Sequence, residues 1–165
     1  MANWKAPDTP SQRSRTAVVT GTGGLGLEDA LALSRAGAQV IIAGRSRSKG
    51  AIAVDQIRKR VPDANVRFEA LDLASLDSIA AFGERLRASI DCLDLLINNA
   101  GVMAPPKRQV TADGFELQFG TNHLGHFALT AQLLPLLRKG DQPRVVTLSS
   151  IAARSGAINF DDLQS

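Results

Sequence analysis

Hydrophobic and polar positions along this chain follow two alternating periods. Five short runs read as strands: Thr16–Thr20, Gln39–Ala43, Val66–Leu71, Leu93–Asn98 and Arg144–Ser149. The first, fourth and fifth are nearly continuous apolar runs, the pattern of strands covered on both faces of a parallel sheet. The third alternates, Val66, Phe68 and Ala70 against Arg67 and Glu69, and is predicted to lie nearer an edge. Between the runs the period becomes helical. Leu27, Ala30, Leu31 and Ser34 fall on one helix face, with Gly37 placed to end it. Leu76, Ile79, Gly83, Leu86 and Ile90 form a second stripe behind Ser75, a predicted N-cap. The longest helical pattern runs from Asp113 to Lys139 and is apolar nearly all round from Leu124 to Leu137, so burial on more than one side is expected. Pro135 should kink that helix or end its regular part.

Strand and helix alternate throughout, which predicts an α/β fold with right-handed crossovers and a doubly wound parallel sheet. Ligands of such sheets sit beyond the carboxyl ends of the strands, where the strand order switches. Every motif taken up below falls at such an end. Residues 1–14 read as a flexible lead and 15–165 as one domain. Pro105–Gln109, Gly140–Pro143 and the stretch after Ser150 also read as flexible.

Charge narrows the ligand. The net charge is +3, yet residues 1–60 carry ten Lys/Arg against four Asp/Glu, and the remainder nine against twelve. A basic first third suits a phosphate-bearing ligand. The isoelectric point near 9.5 raises nucleic acid as an alternative. No Lys/Arg block is present, however, and aromatic residues at 4% leave no platform for base stacking. Nucleic acid is therefore not an expected partner. Cys92 stands alone, so no intrachain disulfide is possible and a reducing cytoplasm is the expected compartment. Met1–Ser14 has polar residues and prolines where a signal peptide needs an apolar core. No apolar stretch approaches the roughly 20 residues that span a bilayer.

The first strand runs into Gly21-Thr22-Gly23-Gly24-Leu25-Gly26, which opens a helix. Glycines let backbone approach a pyrophosphate at the positive end of that helix, although such a run can also be a plain turn. After the second strand comes Arg45, followed by Arg47 and Lys49, with no acid between Asp29 and Asp55. An NAD site places an acid there for the ribose hydroxyls; cations suit the 2′-phosphate of NADP, or simply begin a solvated helix. Asp72-Leu73 closes the third strand, where the acid can receive an adenine amino group or cap the next helix. Asn98-Asn99-Ala100-Gly101 ends the fourth, leaving room for a ribose and nicotinamide or forming a structural turn. Asn122 interrupts an apolar helix and needs partners for its amide. His123 and His126 flank it without Cys or carboxylate partners at metal spacing, so no metal site is expected and both read as structural or solvent-facing. Ser149 and Ser150 end the fifth strand with no nucleophile elbow around them, which excludes a serine hydrolase of that type.

Taken together, TAVVTG at 16–21, LDLLINNAGVM at 93–103, FGTNHLGHF at 119–127, VVTLSS at 145–150 and FDDL at 160–163 resemble the short-chain dehydrogenase/reductase family, in its retinol-dehydrogenase-like and protochlorophyllide-reductase-like branch. The resemblance runs from about Trp4 to Ser165. It implies a Rossmann-type sheet in the order 3-2-1-4-5 and hydride transfer between NADP(H), preferred over NAD(H), and a small-molecule carbonyl or alcohol. Gly21, Gly23, Gly24, Leu25 and Gly26 would then surround the pyrophosphate, and Arg45 would hold the 2′-phosphate. Asp72 and Leu73 would border adenine, while Asn99, Ala100 and Gly101 would line the ribose and nicotinamide. Asn122 and Ser150 match two of four catalytic positions; the other two, a Tyr-x-x-x-Lys pair, have no match, and the sequence contains no tyrosine. The glycine turn is one residue shorter than the usual Thr-Gly, three residues, Gly, one residue, Gly. The expectation is a cofactor-binding half that self-associates or pairs with a complementing C-terminal half, with an inactive NADP(H)-binding module as the alternative.

Overall fold

A computed structural model describes residues 8–164. Five parallel strands, β1 (Thr16–Thr20), β2 (Gln39–Gly44), β3 (Val66–Ala70), β4 (Leu95–Asn98) and β5 (Arg144–Thr147), form one sheet. Their order is β3-β2-β1-β4-β5, as the resemblance implies, and β3 is an edge, as its alternation predicts. The helices are α1 (Gly24–Arg35), α2 (Arg47–Arg60), α3 (Leu76–Ser89) and α4 (Gly125–Leu137), the last entered through a π-helical stretch at Phe119–Leu124.

Side chains leave alternate sides of each strand, and the two sides build separate cores. Ala17, Val19, Val40 and Ile42 pack with Ala30 and Leu31 of α1 and with Ala53 and Ile57 of α2. On the other face Val18, Ile41 and Leu96 pack with Ile79, Phe82 and Leu86 of α3 and with Leu129 and Leu133 of α4. Each fully buried side chain of this size stabilises the fold by about 1.5–3 kcal/mol. The result is three layers with all carboxyl ends of the strands on one side.

Local signals set the ends of the elements. Gly37 stops α1 in the left-handed region at φ +92°. Ser75 caps α3, its Oγ accepting from the Ser78 N–H at 3.2 Å. Several expected ends move inward. β4 starts at Leu95 rather than Leu93, because the Leu93 N–H donates to the Leu136 carbonyl at 3.1 Å instead of joining the ladder. β5 ends at Thr147, short of Ser149. The long helix does not start at Asp113. Gly114 turns the chain at φ +86°, Val110 and Glu116 form an antiparallel bridge, and the Asp113 carboxylate accepts from the Leu76 N–H at the start of α3. Helical structure begins beyond Glu116, whose carboxylate accepts from the Phe119 N–H at 2.7 Å. Pro135 lies inside α4, which ends two residues later at Leu137.

Of the lead read as flexible, residues 1–7 lie outside the described residues. Gln12 within it is buried, and its N–H donates to the Ala36 carbonyl at 2.8 Å. The turn 140–143 is held by Arg15, which donates to the Asp141 carbonyl at 2.8 Å, and by the buried Asp94 carboxylate, which accepts from the Asp141 N–H at 2.8 Å. No helix among the described residues is long and apolar enough to cross a membrane.

Candidate cofactor cleft

Beyond the carboxyl ends of β1, β2 and β4 the surface opens into a cleft of about 1130 Å³. That exceeds the ~300–1,000 Å³ typical of sites for drug-sized ligands and leaves room for a dinucleotide. Its lining includes Gly21, Gly23, Gly24 and Leu25, then Arg45, Asp72, Leu73, Asn99, Ala100 and Gly101. Ten of the residues singled out in the sequence are thus brought together. Gly26, Asn122 and Ser150 are not among the lining residues.

The glycine turn is built around one side chain. Gly21 takes φ +100° and hands the chain from β1 to the loop, its N–H donating to the Ala43 carbonyl at 2.8 Å. A Cβ on Gly21 would stand 2.8 Å from Asn99 Nδ2, and one on Gly26 would strike the same atom. Gly26 therefore lies behind the wall, where it makes room for the Asn99 amide to donate to the Thr20 carbonyl at 2.8 Å. Gly23 and Gly24 face open space, with nothing within 4 Å of a Cβ on either. Gly23 is the N-cap of α1 and no side chain caps the helix, so the first amides of α1 are open to the cleft. Amides at a helix start that lack acceptors, at the positive end of the dipole, suit an anion.

The basic side of the cleft carries Arg45, Ser46 and Lys49. Ser46 caps α2, its Oγ accepting from the Lys49 N–H at 3.3 Å. The first turn of α2 contains no acid, and among the described residues neither Arg45 nor Lys49 forms an ion pair. Positive charge at the positive end of a helix is unfavourable until an anion arrives. Gly50 allows the Phe68 ring to pack where a Cβ would otherwise sit, which fixes this turn of α2 on β3.

Asp72 does local work: its Oδ1 accepts from the Ala74 N–H at 2.9 Å, while Ser75 caps α3. Ser75, not Asp72, is therefore the cap of α3, and Asp72 closes the turn ahead of it while lining the cleft. Asn122 is satisfied, as its position required. Its Oδ1 accepts from the Val102 N–H at 2.8 Å and its Nδ2 donates to the Val102 carbonyl at 2.8 Å, clasping a cleft-lining residue to the π-helical stretch. Ser150 is exposed and caps the 3-10 turn Ile151–Arg154, accepting from the Ala152 N–H at 3.2 Å.

Thr121 escaped sequence reasoning, which reads His126 only as structural or solvent-facing. Thr121 lines the cleft at 8% exposure, and its hydroxyl has no hydrogen-bond partner. A buried hydroxyl left without a partner carries a desolvation cost of about 1–3 kcal/mol. His126 is buried and bonded to Thr20, whereas its sequence neighbour His123 is exposed and stacks on Phe119. Periodicity places His126 on α4 but cannot say which strand end it meets.

A parallel sheet in this order with helices on both faces and a glycine turn after β1 defines a Rossmann-type α/β domain. More particularly, the short chain dehydrogenase family model matches residues 15–161, and the chain belongs to that family. It is 44% identical over 167 residues to polyprenol dehydrogenase of Danio rerio, covering 98% of this chain and 51% of that protein. It is 48% identical over 151 residues to retinol dehydrogenase 12 of Mus musculus, covering 91% and 48%. The chain thus spans about half the length of these relatives. Among solved structures, an uncharacterised Mycobacterium paratuberculosis protein superposes at TM-score 0.85 with 45% identity, covering 98% of this chain and 55% of that one. A short chain dehydrogenase from Escherichia coli CFT073, complexed with NADPH, superposes at 0.77 with 28% identity, covering 91% and 65%.

Proposed function

We propose that these residues form the cofactor-binding part of an NADP(H)-dependent oxidoreductase acting on a small-molecule carbonyl or alcohol carbon. The observation that carries this reading is one cleft holding both a helix start without a side-chain cap and two cations that have no ion-pair partner among the described residues. NADP(H) would supply or accept the hydride. The open amides of α1 would receive the pyrophosphate, and Arg45 with Lys49 the 2′-phosphate by charge-assisted contacts. NAD(H) fits less well, since no acid stands at the end of β2 for its ribose hydroxyls. Asp72 and Leu73 would border adenine, with Thr121 adding a hydroxyl to the same cleft. Asn99, Ala100 and Gly101 would line the ribose and nicotinamide. Ser150 would donate to the reacting oxygen, and Asn122 would hold the backbone of the proton path. Relatives named for retinol and polyprenol support an alcohol carbon as the site of reaction.

A second reading is an inactive NADP(H)-binding module with an interaction or sensing role, in which the cleft takes the cofactor without turnover. Turnover separates the two. The 165-residue chain should bind NADPH yet oxidise it with simple aldehydes roughly 10²–10⁴-fold below a complete site, the usual worth of a positioned proton donor. Supplying a C-terminal half with a tyrosine should restore oxidation. Binding that never leads to turnover under that complementation supports the module, and failure to bind NADPH contradicts both.

A further inference from the structure

His126, in the first turn of α4, is 4% exposed. Its Nδ1 lies 3.0 Å from the Asn122 carbonyl oxygen and its Nε2 3.0 Å from Thr20 Oγ1. A carbonyl only accepts, so Nδ1 carries a proton. Thr20 Oγ1 accepts from the Asn99 N–H and the Ala100 N–H, both at 2.9 Å, and these fill its two lone pairs. Its single proton then goes to Nε2, nearer than the alternative Ile97 carbonyl at 3.3 Å. The neutral ring protonated at Nδ1 is the form that satisfies every group.

We infer that His126 is a positioning residue of the cofactor cleft. As the neutral Nδ1–H tautomer it holds the Thr20 hydroxyl toward the Asn99-Ala100 turn and ties that turn to the carbonyl of Asn122. The inference rests on the reading of the cleft as the NADP(H) site. Asn99 and Ala100 line the cleft, and the Asn122 side chain clasps Val102, which lines it as well. One ring therefore joins two parts of the wall. A second ring proton would point at an oxygen whose lone pairs are filled, and one of the two amides would have to let go.

Among the described residues no ion pair offsets that proton. On α3, which packs against α4, Asp77 and Glu84 are exposed, Arg85 pairs with Glu69, and Arg87 donates to the Gln132 carbonyl. β1, β4 and the turn 98–101 carry no ionisable side chain, and α4 has none besides His126. His123 of the π-helical stretch is exposed on Phe119. Arg144 of β5 pairs with Leu95, at the opposite end of β4 from the turn. Burial pushes the His126 pKa below the usual histidine value, against a smaller upward effect of the Asn122 carbonyl. With the folded value lowered, the unfolded chain binds more protons as pH falls. The contribution of this arrangement is thus complete above about pH 6.5 and is lost as pH falls below it toward the lowered value.

The test pairs calorimetric titration of NADP⁺ from about pH 8 to 5.5 with NMR of ¹⁵N-histidine-labelled protein. The cofactor phosphate titrates near pH 6 in every variant, so the difference between profiles isolates His126. Wild type should lose affinity roughly five- to tenfold more than His126→Gln on acidification, the worth of about one hydrogen bond. His126→Gln should bind more weakly at pH 8. Should that variant fail to fold, Thr20→Ser should retain the wild-type profile and Thr20→Val should lose it. NMR should give the Nδ1–H tautomer with a depressed pKa. Equal slopes in wild type and His126→Gln, an Nε2–H tautomer, or titration near the ordinary histidine value would overturn the proposal while leaving NADP⁺ binding intact. No binding at any pH would remove the cofactor reading and this proposal with it.

Discussion

Asn99 organises the glycine turn from behind. Its side chain donates to the Thr20 carbonyl, its backbone N–H to the Thr20 hydroxyl, and Gly21 and Gly26 both yield space to its amide. The glycines of the turn therefore have two different jobs. Gly26→Ala should drive a methyl into Asn99 Nδ2 and cost about 1–3 kcal/mol, the range for overpacking a filled site. Gly23→Ala meets nothing within 4 Å and should cost less than about 1 kcal/mol in stability. It should nevertheless weaken NADP(H) binding, since its methyl enters the cleft. Chemical denaturation beside cofactor titration checks the contrast, and a Gly26→Ala protein as stable as wild type would contradict it.

Among the elements, strands and their order were legible because buried parallel strands leave unbroken apolar runs. TAVVT and QVIIAG could be little else between glycine-bearing turns. Helix α3 was legible from its stripe and its serine cap. The entry to α4 was not, for a physical reason: Asp113 looks like the start of a helix, yet its carboxylate is spent on the α3 amide of Leu76, a partner 37 positions away in sequence. The π-helical stretch was equally hidden, since a wider turn leaves no periodic mark over six residues. Such stretches occur often at functional sites, and this one carries Thr121 and Asn122. The cleft-lining residues were readable as strand-end motifs. The orphaned Thr121 hydroxyl and the partner of His126, read only as structural or solvent-facing, were not, because each depends on which strand end it faces.

The molecule as a whole is covered unevenly. Four helices cover β1 and β2, while β5 is exposed along its full length and Val146 is 48% exposed. Beside it on α4, Phe127 is 71% and Leu134 47% exposed, and Phe160 beyond the 3-10 turn is 80% exposed. The long helix is apolar all round, as its sequence predicts, but only one face is used. Unpaired strand edges and apolar faces both promote association. We expect the chain to self-associate, or to bind a complementing half, with sedimentation velocity giving a weight-average mass that rises with concentration. A concentration-independent monomer with a cooperative melt would contradict that expectation.

The cleft reading rests on cations at the end of β2 that no acid among the described residues pairs with. Parallel titrations of wild type and Arg45→Ala with NADPH and NADH measure this most directly. Wild type should prefer NADPH by roughly tenfold or more, the worth of a charge-assisted phosphate contact. Arg45→Ala should lose most of that preference by weakening NADPH alone, with NADH affinity nearly unchanged. Equal affinity of wild type for the two cofactors, or a preference for NADH that survives in Arg45→Ala, would contradict the account.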